Sequence, residues 1–319
     1  MSVTSRLDAF QRSHPGAGFP IAVLYKYLDD GAGSLAALLT YYGFVSMFPL
    51  LLLASTILGL VLSGDPGAQK AVLDSALSQF PVIGGQLQQP GRLGGGTTGL
   101  VVGSLGALYG GLGVTLALQN AMNTAWTVPR NKRPNPLQSR ARGLVLLLTV
   151  GSALLSTGVL AALGGGGVGS FGVEIRVLAA LGSMVISTVT FVVMFRVATA
   201  RDLSVRQVAP GAIAAAIAWQ LLQFFGAGYV NGVVKHASDT NGVFALVLGL
   251  IAFLYVASVA IMVCVEVNVV RVDRLYPRAL LGPLTDDVEL TEGDERAYTD
   301  QAKAQRYKGS ERIEVHFDD

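Results

Sequence analysis

Gln220 and Gln223 stand three residues apart, next to Trp219, in the middle of an uncharged run spanning 208–230. An amide left unpaired in hydrocarbon costs several kcal/mol, so such a pair on one helix face must meet another helix or a water-lined path. A tryptophan at that depth, away from the interface it prefers, points to the same protein-facing or solvated surface. Hydrogen bonding that ties a helical bundle together is the plainer use of the two amides, and both uses stay open on sequence grounds. Other polar groups sit inside or at the ends of apolar runs. Tyr41 and Tyr42 fall about 12 Å from the middle of the first run, counting 1.5 Å of rise per residue. Asn120 and Asn123, with Gln119, close the second run just before Trp126. Glu266 lies about 15 Å from the centre of the last run, where it reads as a site acid or as an interfacial carboxylate paired with a nearby arginine. Gln220, Gln223, Trp219, Tyr41, Tyr42, Asn120, Asn123 and Glu266 are therefore the residues expected to line a substrate path.

Catalytic chemistry finds no constellation. His14, His236 and His316 are scattered, with no H-x-x-x-H or H-x-H spacing to build a metal site. A G-x-S-x-G elbow and a phosphate-binding Walker loop are missing, and Gly94-Gly95-Gly96 lacks a following lysine. The sequence is read as a non-enzyme with no metal and no cofactor. Cys264 is the lone cysteine, so the chain forms no internal disulfide.

These residues have to be positioned by long apolar elements. Leu35 to Leu62 runs for 28 residues without a charge, longer than the roughly 20 residues that cross a ~30 Å hydrocarbon core. Five more apolar segments follow, near 99–120, 143–163, 177–198, 208–230 and 242–266. Charged residues make up only 14% of the chain, against about 25% in soluble domains, and mean hydropathy is +0.53. The expected fold is all-α, a polytopic integral membrane protein with six transmembrane helices plus short interfacial helices. The first 30 residues lack a signal-peptide pattern, so the first run is expected to stay as an anchor.

Lysines and arginines orient the chain. With six spans and both termini in the cytoplasm, fourteen fall inside, among them Lys26, Arg130, Lys132, Arg133, Arg140, Arg142 and Arg201. Lys70, Arg92, Arg176 and Lys235 fall outside. Residues 19–30 carry Ile21, Leu24, Tyr27 and Leu28 at helical spacing and are expected to lie on the inner surface. Residues 69–80 do the same outside, and the glycine-rich runs 90–99 and 164–169 read as loops. Gly99, Gly103, Gly106, Gly110 and Gly113 put a stripe of small residues on the second span, suited to close helix packing. Pro49 should bend the first span. The domain reading is a cytoplasmic N-terminal segment with an amphipathic helix (1–33), a membrane domain (34–272) and an acidic cytoplasmic tail (273–319). The tail's five basic residues against eleven acidic ones after position 278 predict disorder.

Three groups of residues carry a family resemblance: Leu35 to Leu51 with its Thr40-Tyr41-Tyr42-Gly43 and Phe48-Pro49 core; Asn123-Thr124-Ala125-Trp126 before a basic loop; and Pro210-Gly211-Ala212 through Trp219 and Tyr229 to Glu266-Val267-Asn268. Over about residues 20–272 the chain resembles the YihY/BrkB family of bacterial inner-membrane proteins, in particular its YhjD-like branch. It departs from that pattern after Arg196, where Thr199-Ala200 replaces a frequent Leu-Pro pair. The resemblance implies six membrane helices, an inner-membrane location and no assigned chemistry. It also implies links to serum resistance and to transport of envelope lipid or lipopolysaccharide, and it carries an old ribonuclease BN label. The resulting expectation is a transporter-like protein that binds or moves a lipidic or amphipathic envelope molecule. Its partners would be membrane lipids or a lipid-like substrate and not nucleic acid, with a homo-oligomer or an envelope protein partner left open. A membrane scaffold that recruits partners through the basic loop 130–142 and the tail is the alternative. The basic loop is already explained by topology and has no metal ligands beside it, which argues against ribonuclease chemistry.

Overall fold

Long uncharged runs separated by arginine-bearing connections give long helices, because a backbone in an apolar setting must satisfy its own hydrogen bonds. The computed structural model describes residues 3–61, 96–164, 173–233, 239–280 and 288–317. Its elements are α1 (Val3–Ser13), α2 (Pro15–Asp29), α3 (Ala32–Val61), α4 (Gly96–Ala125), α5 (Pro136–Gly164), α6 (Val173–Ala198), α7 (Val205–Val233), α8 (Asp239–Asp273) and α9 (Glu292–Ala304). A single 3₁₀ turn, Arg130–Lys132, interrupts the connection from α4 to α5. Among the described residues there is no strand. Among the described side chains, four stretches are long and apolar enough to cross a membrane: Pro136–Gly158, Val177–Ala198, Val205–Gly226 and Val247–Asp273. The expected outer helix at 69–80 lies outside the described residues.

The six helices α3 to α8 close into a ring in chain order. Each packs on the one before it, and α8 returns to α3, where Thr40 Oγ1 donates to Ser258 Oγ at 3.4 Å. Among the described residues the buried core gathers at one end of this ring. It takes Ala36 and Leu39 from the start of α3, Ala121 and Met122 from the end of α4, Phe195 from the end of α6, Ala212 and Ala216 from the start of α7, and Met262 and Val269 from the end of α8. Alternating helix direction is the only way those starts and ends can meet. Further along, a small cluster of Met47, Leu250 and Phe253 fills the middle. Leu105, Leu148, Leu178, Phe224 and Leu248 point outward as large exposed apolar side chains.

Close approach relies on glycine at two crossings. A Cβ on Gly110 would sit 2.7 Å from Ser46 Cα, and one on Gly113 would overlap the Tyr42 ring. Gly110 and Gly113 of the expected stripe thus pack against α3. At the crossing of α7 and α8, a Cβ on Gly211 would overlap the Cys264 carbonyl and the Asn268 amide. Pro210 deprives the Arg206 carbonyl of its helical partner, and the Arg271 guanidinium supplies one at 2.7 Å. Asn268 completes the splice: Gly211 N–H donates to its Oδ1 at 2.8 Å, and its Nδ2 donates to the Val208 carbonyl at 3.0 Å.

Two expectations need correction. The helix expected at 19–30 is present as α2, but it does not simply lie on a surface. Leu24 and Leu28 face out, while Ala22, Val23 and Lys26 are buried and the helix packs along α8. The acidic tail is not an unstructured extension either, since residues 292–304 form α9 and are bound back to the body. Thr291 and Asp294 cap it reciprocally, which ties up acidic groups that composition alone assigns to solvent.

Gly211→Ala should lower thermal stability by about 1–3 kcal/mol or more, because the methyl meets backbone and not a flexible side chain. Gly16→Ala, where nothing lies within 4 Å, should be neutral or slightly stabilising in a helix. Thermal unfolding of both variants in one detergent, followed by circular dichroism, measures the contrast.

Candidate functional site

The polar chemistry of the described residues concentrates at the sealed end of the ring. Arg278, just after α8, has no exposed surface. Its Nε donates to Asp294 Oδ1 at 2.5 Å and its Nη2 to Asp29 Oδ2 at 2.9 Å. Tyr298 lies 5.2 Å beneath the guanidinium. Asp294, also fully buried, accepts from the Ala279 N–H and from the Thr291 backbone and hydroxyl. Gln11 of α1 donates to the Arg278 carbonyl at 2.5 Å. One residue therefore joins α1, the end of α2 and α9. Burial works against the charge on Arg278, but Asp29 and Asp294 outweigh it and raise its pKa.

Next to this hub, Lys26 of α2 and Asp30 form a buried ion pair one helical turn apart. Glu266 of α8 is fully buried and faces the same pair. The Glu266 oxygens are buried and have no hydrogen-bond partner among the described residues. Burial pushes the Asp30 carboxyl up, with Lys26 pulling the other way. Burial would lower Lys26, but Glu266 and Asp30 together hold it above the ordinary lysine value. Lys26 is thus the cation that both acids share, and groups out of water are least costly when so paired.

Two cavities flank the network. The smaller, about 280 Å³, is lined by Asp30, Asn120, Thr124, Thr127, Arg130, Arg133 and the α9 residues Gln301, Ala304 and Gln305. The larger, about 580 Å³, lies between Trp126, Lys132, Arg201, Asp202, Asp273 and Asp300. Arg201 grips Asp273 with both nitrogens, at 2.9 and 2.8 Å, and lies 5.2 Å over the buried Trp126 ring. Its bond to Asp273 raises its pKa. Asp300 is raised mainly by burial and then by Asp273. Among the described residues no group of three or more histidine, cysteine, aspartate or glutamate side chains could hold a metal ion.

The expected path residues divide between this end and the ring wall. Asn120 lines the smaller cavity and accepts from Arg133 Nη1 at 3.1 Å. Asn123 is buried, and its Oδ1 accepts the Ala200 N–H at 2.7 Å. It thereby fixes the connection from α6 to α7, at the site where the sequence departs from its resemblance. Glu266 belongs to the buried network, and its cationic neighbour is Lys26 instead of an arginine. Gln220, Gln223 and Trp219 are half-buried in the middle of α7, where Trp219 meets Phe253 edge-on at 6.0 Å between centroids. Neither cavity touches them. Tyr41 is 60% exposed, and Tyr42 packs at the Gly113 crossing. Sequence reasoning missed Lys26, Asp30, Arg278 and Asp294. The i,i+4 spacing of Lys26 and Asp30 and the capping signature Thr291-x-x-Asp294 were the available signals.

Lys26→Met should destabilise the protein by about 3–5 kcal/mol, because it leaves buried carboxyls without their cation. Adding Asp30→Asn should recover most of that loss. Glu266→Gln should stay near wild type, since Asp30 still meets Lys26 and the amide removes a buried charge. Melting temperatures of the three variants in the same detergent test the set, and an additive Lys26→Met/Asp30→Asn pair would deny the coupling.

The profile of virulence factor BrkB matches residues 23–287, which take in the second half of α2, the whole ring and Arg278. No curated protein and no solved structure matches the chain. With its long apolar helices and a family match over more than half its length, this chain is a membrane protein belonging to the BrkB family.

Proposed function

We propose that the chain is a six-span protein of the bacterial inner membrane, both termini cytoplasmic, that binds or moves a lipidic or amphipathic envelope molecule and performs no enzymatic chemistry. The observation that carries this reading is a contrast among the described side chains. The arginine-rich end of the ring is closed by an apolar core and a buried charge network. Tyr109, Leu178, Phe224, Phe225 and Leu248 are exposed along its flanks. A bundle firm at one end and apolar along its flanks suits a guest that enters from the bilayer, and few ionisable groups lie along that route. α3 and α4, each 30 residues long and uncharged, would supply the other two spans. The scaffold alternative needs a free basic loop and a free tail, yet these hold each other: Asn131 N–H donates to the Arg306 carbonyl at 3.1 Å, and Arg130 Nε donates to Gln305 Oε1 at 3.2 Å.

Topology is tested with single cysteines. In a Cys264→Ala background, Lys235→Cys and Gln88→Cys should react with an impermeant maleimide added outside intact cells, while Lys132→Cys should not. Labelling at position 132 from outside would sink the six-span arrangement. The path is tested with Gln220→Leu/Gln223→Leu in proteoliposomes carrying a fluorescent lipid. If the two amides line the path, transfer or binding should fall while thermal stability holds. If they tie helices together, stability should drop by about 0.6–2 kcal/mol per lost bond.

A further inference from the structure

The smaller cavity carries two cations that have no carboxylate partner among the described residues. Arg133 spends its guanidinium on neutral acceptors: the Val128 carbonyl at 3.2 Å, Asn120 Oδ1 at 3.1 Å and Thr124 Oγ1 at 3.5 Å. Arg130 donates to Gln305 Oε1 and lies 4.9 Å over the Tyr307 ring. Among the described residues neither arginine has a carboxylate partner, although Arg278, Arg201 and Lys26 each do. Asp30, the one acid on the cavity wall, is already engaged by Lys26. Burial and the nearby Arg130 both depress the Arg133 pKa, which is the mark of like charges brought together out of water.

Hydroxyl and amide groups complete the lining. Thr124 and Thr127 supply hydroxyls, and Gln301 of α9 and Gln305 at its C-cap supply amides. Thr127 has φ 47°, a left-handed backbone that costs a non-glycine residue energy and is held in place by its surroundings. Two forked guanidinium groups beside hydroxyls, around about 280 Å³ of space, match a tetrahedral oxyanion with three or four acceptor oxygens. We propose that this cavity is a binding site for a phosphate group, either on a small phosphorylated metabolite or on the headgroup of a phospholipid at the inner surface. The site would also bear on the tail, because α9 supplies one of its walls and an anion would bind the tail to the connection from α4 to α5. It stands apart from the lipid-path reading and survives if that reading fails.

The full chain, purified in a phosphate-free maltoside, separates the two sources. One arm adds inorganic phosphate or sn-glycerol 3-phosphate at ionic strength held constant with chloride. The other dopes the micelles with phosphatidic acid or with diacylglycerol of the same chains. Melting temperature and calorimetric binding are read in both arms. Phosphate-dependent stabilisation in the first arm assigns a soluble ligand, and a response to phosphatidic acid but not to diacylglycerol assigns the headgroup. Arg130→Gln/Arg133→Gln should weaken the response by about tenfold or more, the worth of a lost charge-assisted contact. Gln305→Glu guards against a folding failure in that variant. It gives Arg130 an internal carboxylate and should weaken phosphate binding while leaving the unliganded protein as stable as wild type. Arg140→Gln, an exposed charge in the second turn of α5 and outside the cavity lining, should change nothing. The proposal is overturned if neither arm responds, if Gln305→Glu binds as wild type does, or if Arg140→Gln lowers binding as much as the double variant.

Discussion

An arginine cannot be taken out of water without anions to meet it, and the arrangement of the sealed end follows from satisfying Arg278. Removing both partners would leave a buried charge uncompensated, at a cost of several kcal/mol. Asp29 therefore ends α2 at the right height, and Asp294 is delivered by a helix that starts there. Asp294 can be held in that place because the same carboxylate caps α9. A second cluster, Lys26 with Asp30 and Glu266, fastens α2 against α8. Two polar clusters, each closed on itself, thus hold the peripheral helices to a ring whose own helices are joined mostly by small residues.

Small-residue packing explains why polar side chains recur at the crossings. Helices in a bilayer gain little from apolar attraction alone, so close backbone approach and a few directed bonds have to hold them. The α7–α8 crossing shows how the two go together. Gly211 lets α8 come near, Pro210 opens a gap in the backbone ladder, and Asn268 and Arg271 fill the groups left over. Asn123 does similar work for the loop at Ala200. Polar residues at helix ends are in this protein mainly structural ties.

The long membrane helices were legible in the sequence, because uncharged runs and their arginine-bearing connections are direct consequences of bilayer energetics; their closure into a ring was not. Close packing at Gly110 and Gly113 of α4 was legible from the spacing of small residues. What escaped was the pairing of charges between distant segments. Lys26 counts as one more inner-side cation until α8 brings Glu266 to it. The tail looks solvated by composition, and only a partner 16 residues earlier in the chain, Arg278, turns Asp294 inward. Arg130 and Arg133 were read as topology markers, a role that says nothing of whether a carboxylate awaits them. Hydropathy reports which residues leave water, and it is blind to which of them meet.

The contact between Arg278 and Asp29 spans 249 positions of chain. Synthesis runs from the amino end, so α2 is made and threaded toward the membrane surface long before the residue that neutralises Asp29 exists. During that interval the growing chain holds an open ring and an acid without its cation. The last helix and the segment just after it do two jobs in quick succession: α8 shuts the ring against α3, and Arg278 then fastens the first helices and the last one together. Assembly therefore ends in a latch that only a finished chain can engage, and a nascent or truncated copy is marked by its unlatched amino-terminal helices.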